Sequence, residues 1–310
     1  MKMNPMSLRE RAGICAKQMF RCRTLYLMIL PSIVALFIFH YIPIRGILIA
    51  FKDYRNDLGI MGSPWVGLKH FKRFLSYPYF DKMMWNTVKI SLVCLLDFPL
   101  PILFAILLNE MRQQKLKKVC QTITYAPYFV STVLVCSMTI LFLSKEGLFN
   151  IIGGYFGAKP VDFMASPKMF PWIYMISGVW SGLGWASIIY VATLAGVSME
   201  LVEAAKIDGA GRMQTIWHVH LPHLKPTIIT LFILRMGGVL GVGFDKVFLL
   251  QNDLNRESSS VISTYVYEIG LQNMQFSYST AIGLFNTVIN IFFILLANII
   301  SKKVADISLW

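Results

Sequence analysis

The chain has 310 residues and a net charge of +13, from 29 Lys and Arg against 16 Asp and Glu, yet only 15% of its residues are charged. With 56% hydrophobic residues and a mean hydropathy of +0.59, it is no ordinary soluble domain and belongs in a bilayer. Its basic residues are scattered over loops on both sides of apolar runs, which excludes a nucleic-acid groove and fits contact with anionic lipid headgroups.

The first segment, 1–24, is basic, with Lys2, Arg9, Arg11, Lys17, Arg21 and Arg23. The apolar run after it is too long for a cleaved signal peptide and lacks a small-residue cleavage site, so it reads as an uncleaved span. Six runs are long enough to cross a bilayer as helices: 25–51, 84–108, 119–143, 170–197, 227–250 and 278–300. Pro31, Pro43, Pro99, Pro101 and Pro127 are expected to bend or open the helices that carry them. The divisions are 1–24, a first span with its outer loop at 25–83, a core of five spans at 84–300, and a tail at 301–310.

Six spans put both termini on one side. That side carries the N-terminal cluster, then Arg112, Lys115, Lys117 and Lys118, then Lys206, Arg212 and Lys225, and last Lys302 and Lys303. The opposite face has fewer basic residues, Lys52, Arg55, Lys69, Lys72, Arg73 and Lys82, then Lys145, Lys159, Lys168 and Arg256. The bias predicts cytoplasmic termini, although the two flanks of the first span are nearly equal. Cys15, Cys22, Cys94, Cys120 and Cys136 show no paired spacing and read as reduced packing residues.

Between the fourth and fifth runs lies a polar loop, 198–226, containing ELVEAAKIDGAGRMQTIWHVHLPHLKP from Glu200. Ser198 is placed to cap a short helix, Glu200 and Glu203 suit its positive end, and Lys206 suits the negative one. Gly209 permits the left-handed turn that ends it, and a second short helix is expected beyond. Met199, Val202 and Ala205 recur every three residues and give the first helix an apolar side.

His218, His220 and His223 form H-x-H-x-x-H, but the first two point to different helix faces and Pro222 follows at once, so no metal site is expected. The chain has no GxxxxGK[ST] phosphate cradle. The cluster GGVLGVG, 237–243, lacks the lysine and the strand-to-helix setting, and fits close helix packing or a flexible break. No cofactor and no catalytic constellation is expected.

The loop resembles the signature of the membrane subunits of ATP-binding-cassette importers: E-A-A, three residues, G, nine residues, I-x-L-P. Here Glu203, Ala204 and Ala205 lead to Gly209, then to Val219, His220, Leu221 and Pro222, with valine alone departing from the pattern. The resemblance implies an all-α polytopic membrane protein of the type I importer permease fold in the bacterial cytoplasmic membrane. It further implies that Glu203, Ala204, Ala205, Asp208, Gly209, Leu221 and Pro222 dock into an ATPase dimer. A second, distinct permease subunit and an extracytoplasmic solute-binding protein complete the implied complex.

The chain is most similar to carbohydrate importers for oligosaccharides and polysaccharide fragments, through SPWVGLKHFKRF, FDKVFLLQNDL, VISTYVYEIGLQ and FSYSTAIGLFNTVIN. Trp180, Trp185, Tyr190, Phe244, Asp245, Asn286 and Asn290 are groups that suit sugar faces and hydroxyls at membrane depth. Each also has a plainer reading. The aromatics suit packing or interfacial anchoring, Asn286 and Asn290 suit bonding to a neighbouring helix, and Asp245 suits an ion pair with Lys246. An importer of another solute, a secondary transporter and a membrane-embedded enzyme are the rival readings. Scarce mid-span acids and the lack of a visible inverted repeat weigh against the second, and the lack of a nucleophile-base set against the third.

Overall fold

The computed structural model describes residues 21–306 and 308–309, so the basic positions Lys2, Arg9, Arg11 and Lys17, together with Cys15, lie outside the described residues. The described chain forms two compact units that divide after Gly67.

In the first unit α1 (Arg23–Leu36) runs directly into a π-helical turn, Phe37–Tyr41, and a 3-10 segment, Ile42–Phe51. Pro43 stands two residues after the π turn. A proline ring presses on the carbonyl four residues back, and a π turn widens the helix where that carbonyl would otherwise sit. Beyond the span, the one-turn α2 (Gly59–Gly62) is tied back by Lys52 Nζ, which donates to the Ile60 and Met61 carbonyls at 2.8 and 2.9 Å. Phe51 and Trp65 stack at 5.6 Å.

The second unit is helical throughout. It contains α3 (Lys69–Leu75), α4 (Phe80–Leu95), α5 (Pro99–Glu110), α6 (Gln114–Tyr125), α7 (Thr132–Leu143), α8 (Leu148–Tyr155), α9 (Phe170–Ala195) and α10 (Met199–Ile207). There follow α11 (Arg212–Thr215), α12 (Leu221–Met236), α13 (Phe244–Leu250), α14 (Arg256–Ser259), α15 (Ile262–Tyr267) and the long α16 (Phe276–Ala305).

Among the described residues, five helical stretches are long and apolar enough to cross a membrane: Arg23–Phe51, Phe80–Glu110, Thr132–Tyr155, Phe170–Ala195 and Phe276–Ala305. Two of the six expected spans are therefore altered. The run 119–143 is not one helix, because Pro127 turns α6 into a 3-10 segment and α7 starts afresh at Thr132. Ser131 Oγ accepts from the Leu134 N–H at that new start. The run 227–250 is broken by its glycines into α12 and α13, which meet at an irregular linker over 237–243.

Three buried clusters hold the unit together. Ile90, Cys136, Phe170, Val247 and Leu250 join α4, α7, α9 and α13. Ile102, Ala105, Tyr190, Leu194 and Leu224 join α5, α9 and α12. Phe74, Met83, Ile262, Tyr278 and Ile282 join α3, α4, α15 and α16. At Gly184 the backbone of α9 lies against the Thr124 carbonyl of α6 so closely that a Cβ would collide with it.

Candidate functional site

The polar loop forms the capped helix that its sequence predicts. Ser198 Oγ accepts from the Glu200 N–H at 3.2 Å and starts α10. At the other end Gly209 has φ +79°, its N–H reaches the Lys206 carbonyl at 3.0 Å, and Ala210 N–H reaches the Ala205 carbonyl at 2.9 Å. That pair of bonds is the Schellman arrangement, in which a left-handed residue lets the last carbonyls find partners. Glu203, Ala204, Asp208 and Gly209 are exposed, and Ala205 is half-buried. With Gln214 and His218, residues Ala205, Asp208 and Gly209 border a shallow cleft of about 300 Å3.

The second short helix does not stand alone. Gln214 Oε1 accepts from the Gly211 N–H at 2.7 Å and begins α11, which continues through a π turn, Ile216–His220, into α12. Pro222 therefore lies inside a continuous helical run that begins in the loop, again two residues after a π turn. Leu221 is half-buried and Pro222 exposed. The histidines diverge as their spacing predicts. His218 Nδ1 lies 2.9 Å from the Gln214 carbonyl at the surface, and buried His220 places Nε2 3.4 Å from Glu110 Oε1.

A second constellation surrounds the break in the fifth run. Asn290 Oδ1, on α16, accepts from the Leu240 N–H at 3.1 Å and so supports a backbone donor that no helix satisfies. Before the break, Arg235 pairs with Asp97 at 2.5 Å and donates to the Cys94 carbonyl at 2.6 Å. After it, Lys246 Nζ donates to the Tyr174 carbonyl at 2.6 Å and stands 4.5 Å from the centroid of the Tyr174 ring. Among the described residues, no carboxylate forms an ion pair with Lys246. Arg235 borders three cavities of about 550, 150 and 210 Å3.

The expected cargo groups scatter around this constellation. Tyr190 is buried in the α5–α9–α12 cluster, whereas Trp180 and Trp185 are exposed and Trp185 stacks on Tyr128 at 4.4 Å. Phe244 packs with Phe248 and Tyr267. Asp245 is exposed and makes no ion pair with Lys246, since adjacent helical residues point in different directions. Asn290 bonds a neighbouring segment, and buried Asn286 Oδ1 has no hydrogen-bond partner. Arg235, Asp97 and Lys246 were legible as charges inside apolar runs, a signal that a count of loop charges passes over.

Residues 99–306 match the family model described as binding-protein-dependent transport system inner membrane component. The chain belongs to that family. It is thus a multi-pass permease of the bacterial inner membrane. The permease is 44% identical over 284 residues to the polygalacturonan/rhamnogalacturonan transport system permease protein YteP of Bacillus subtilis, covering 91% of this chain and 88% of that one. It is 32% identical over 227 residues to the trehalose/maltose transport system permease protein MalF of Thermococcus litoralis, covering 73% and 76%. It also matches, with a TM-score of 0.85 and 36% identity over 94% of this chain and 99% of the other, a chain in the crystal structure of a bacterial ABC transporter that imports the acidic polysaccharide alginate.

Proposed function

We propose that this permease forms one half of the membrane path of an ATP-driven importer of oligosaccharides, with both termini and the 198–226 loop in the cytoplasm. In this reading α12, the linker and α13 together make a sixth, broken crossing. Helix α10, with Glu203, Ala204, Ala205, Asp208 and Gly209, docks on a separate ATPase, and Leu221 and Pro222 begin the lever that carries its motion into the crossing. The observation that carries the reading is the exposed, doubly capped α10, whose last carbonyls are closed off by the Gly209 turn. A rigid element biases a two-state rearrangement in a way that a frayed loop does not.

The remaining partners are a second permease and a solute-binding protein outside the membrane. The likeness to an alginate transporter crystallised with a periplasmic protein carrying an alginate pentasaccharide supports the binding-protein partner. The names of the relatives support a saccharide cargo. Lys246 favours a carboxylate-bearing one, because a cation inside an apolar span that no carboxylate pairs among the described residues is costly and marks the path of the group it serves.

The deciding experiment is reconstitution of the permease pair with its ATPase and binding protein in proteoliposomes. Uptake of a uronate-containing oligosaccharide, coupled to hydrolysis that the loaded binding protein stimulates, is expected. Hydrolysis by this chain alone, or uptake without ATP, would overturn the reading.

A further inference from the structure

At the end of α13, away from the α10 loop in the order of the chain, a cavity of about 510 Å3 opens among α4, α13, α14, α15 and the segment that precedes α16. Its size lies in the range of small-molecule sites. Its lining includes Tyr77 stacked on Tyr265 at 5.0 Å and Phe248 against Tyr267 at 5.3 Å. Two ion pairs share the lining, Lys82 with Glu257 at 3.3 Å and Arg256 with Glu268 at 3.7 Å.

The frame is held from behind. Asn86 Nδ2 donates to the Glu257 and Ser260 carbonyls at 2.9 and 3.1 Å, and fully buried Asn255 donates to the Met164 and Leu250 carbonyls at 3.1 Å each. Tyr79 at the mouth nevertheless remains 63% exposed, and Phe248 45%. Open ring faces on a fixed frame, with carboxylate, guanidinium and amide groups within the same cavity, match the two sides of a sugar: apolar C–H faces and a rim of hydroxyls. The charges at the rim balance, so the cavity reads rings and hydroxyls and does not select for charge.

We infer that this cavity is a saccharide-binding site on the extracytoplasmic side, separate from the Arg235–Lys246 constellation, where a chain end rests between its release by the binding protein and its entry into the membrane path. The inference rests on the saccharide cargo and the topology proposed above. It adds a binding site that acts without the binding protein.

The test uses the complete transporter in nanodiscs with no binding protein present, titrated with trigalacturonate and with its carboxyl-reduced, neutral counterpart. Saturable binding of both is expected, with affinities within about fivefold of each other, since charges already paired at a surface add little. Tyr79→Ala and Phe248→Ala should each weaken binding by about tenfold, and Tyr79→Phe should restore it. Three results would overturn the site: no saturable binding to the wild type, binding that both alanine variants leave unchanged, or alanine variants that instead lose docking of the unloaded binding protein. Uptake by the same transporter with its binding protein is measured in parallel. Import of neither saccharide would defeat the cargo reading, whereas normal import with no binding in nanodiscs would defeat the site alone.

Discussion

Arg235 and Asp97 form an ion pair at 2.5 Å between the last turn of α12 and the turn that separates α4 from α5. The pair links two of the places where apolar stretches lose regular helix, and Arg235 also holds the Cys94 carbonyl. Removing one partner strands the other in a half-buried site. Arg235→Gln or Asp97→Asn alone should destabilise the permease by about 1–3 kcal/mol, and the double variant should recover most of that loss. Thermal unfolding of the purified complex measures it, and a double variant as unstable as the singles would show that the pair is not the unit.

Lys246 tests the charge of the cargo. Lys246→Met keeps a long flexible side chain against Tyr174 and removes the ammonium. Uptake of a uronate oligosaccharide should fall about tenfold or more relative to its neutral counterpart, as expected when a desolvated carboxylate loses its partner. Equal loss for both cargoes would assign the lysine to packing.

The loop gives two contrasting variants. Gly209→Val places a β-branched side chain at φ +79°, at a cost of about 1–2 kcal/mol, and so misdirects the turn into α11. Glu203→Lys leaves the backbone alone and reverses an exposed charge. Both permeases should reach the membrane in normal amounts and lose hydrolysis stimulated by the loaded binding protein. Stimulated hydrolysis that survives both changes would remove α10 from the coupling role.

Cysteine labelling in intact cells checks the topology. Single cysteines at Gly209 should react only after the membrane is made permeable. Those at Gly62, Phe156 and Asp253, the last two strongly exposed, should react from outside. Outside labelling at Gly209 would invert the arrangement.

Asn290→Leu keeps the volume of the side chain and withdraws the acceptor from the Leu240 N–H. The unsatisfied donor should cost about 1–3 kcal/mol and loosen the 237–243 linker, seen as faster amide exchange there with α16 unchanged. Exchange that rises equally throughout α16 would indicate general unfolding instead.

What the sequence made legible follows from how local each signal is. The cap at Ser198 and the left-handed Gly209 were readable because each depends on a few adjacent residues. The apolar runs were readable as membrane segments, but where each one breaks was not. Hydropathy averages over about 20 residues and does not register the backbone, so Pro127 and the glycines at 237–243 split helices that the average joins. Asp245 and Lys246 looked like a pair because they are adjacent, yet Lys246 found its partners 72 residues away, at Tyr174. The aromatic cavity gathers residues 77–272, which no window spans.

A π turn contains about one residue more than the α turn it replaces, and Ile216–His220 lies between the polar loop and α12. That surplus residue acts as a phase setting. Deleting it would leave every side chain of α12 in place along the sequence but rotate the whole set by about 100° about the helix axis relative to α10. Arg235 would then face away from Asp97. The compass bearing of Arg235 is thus written several turns upstream, between Ile216 and His220.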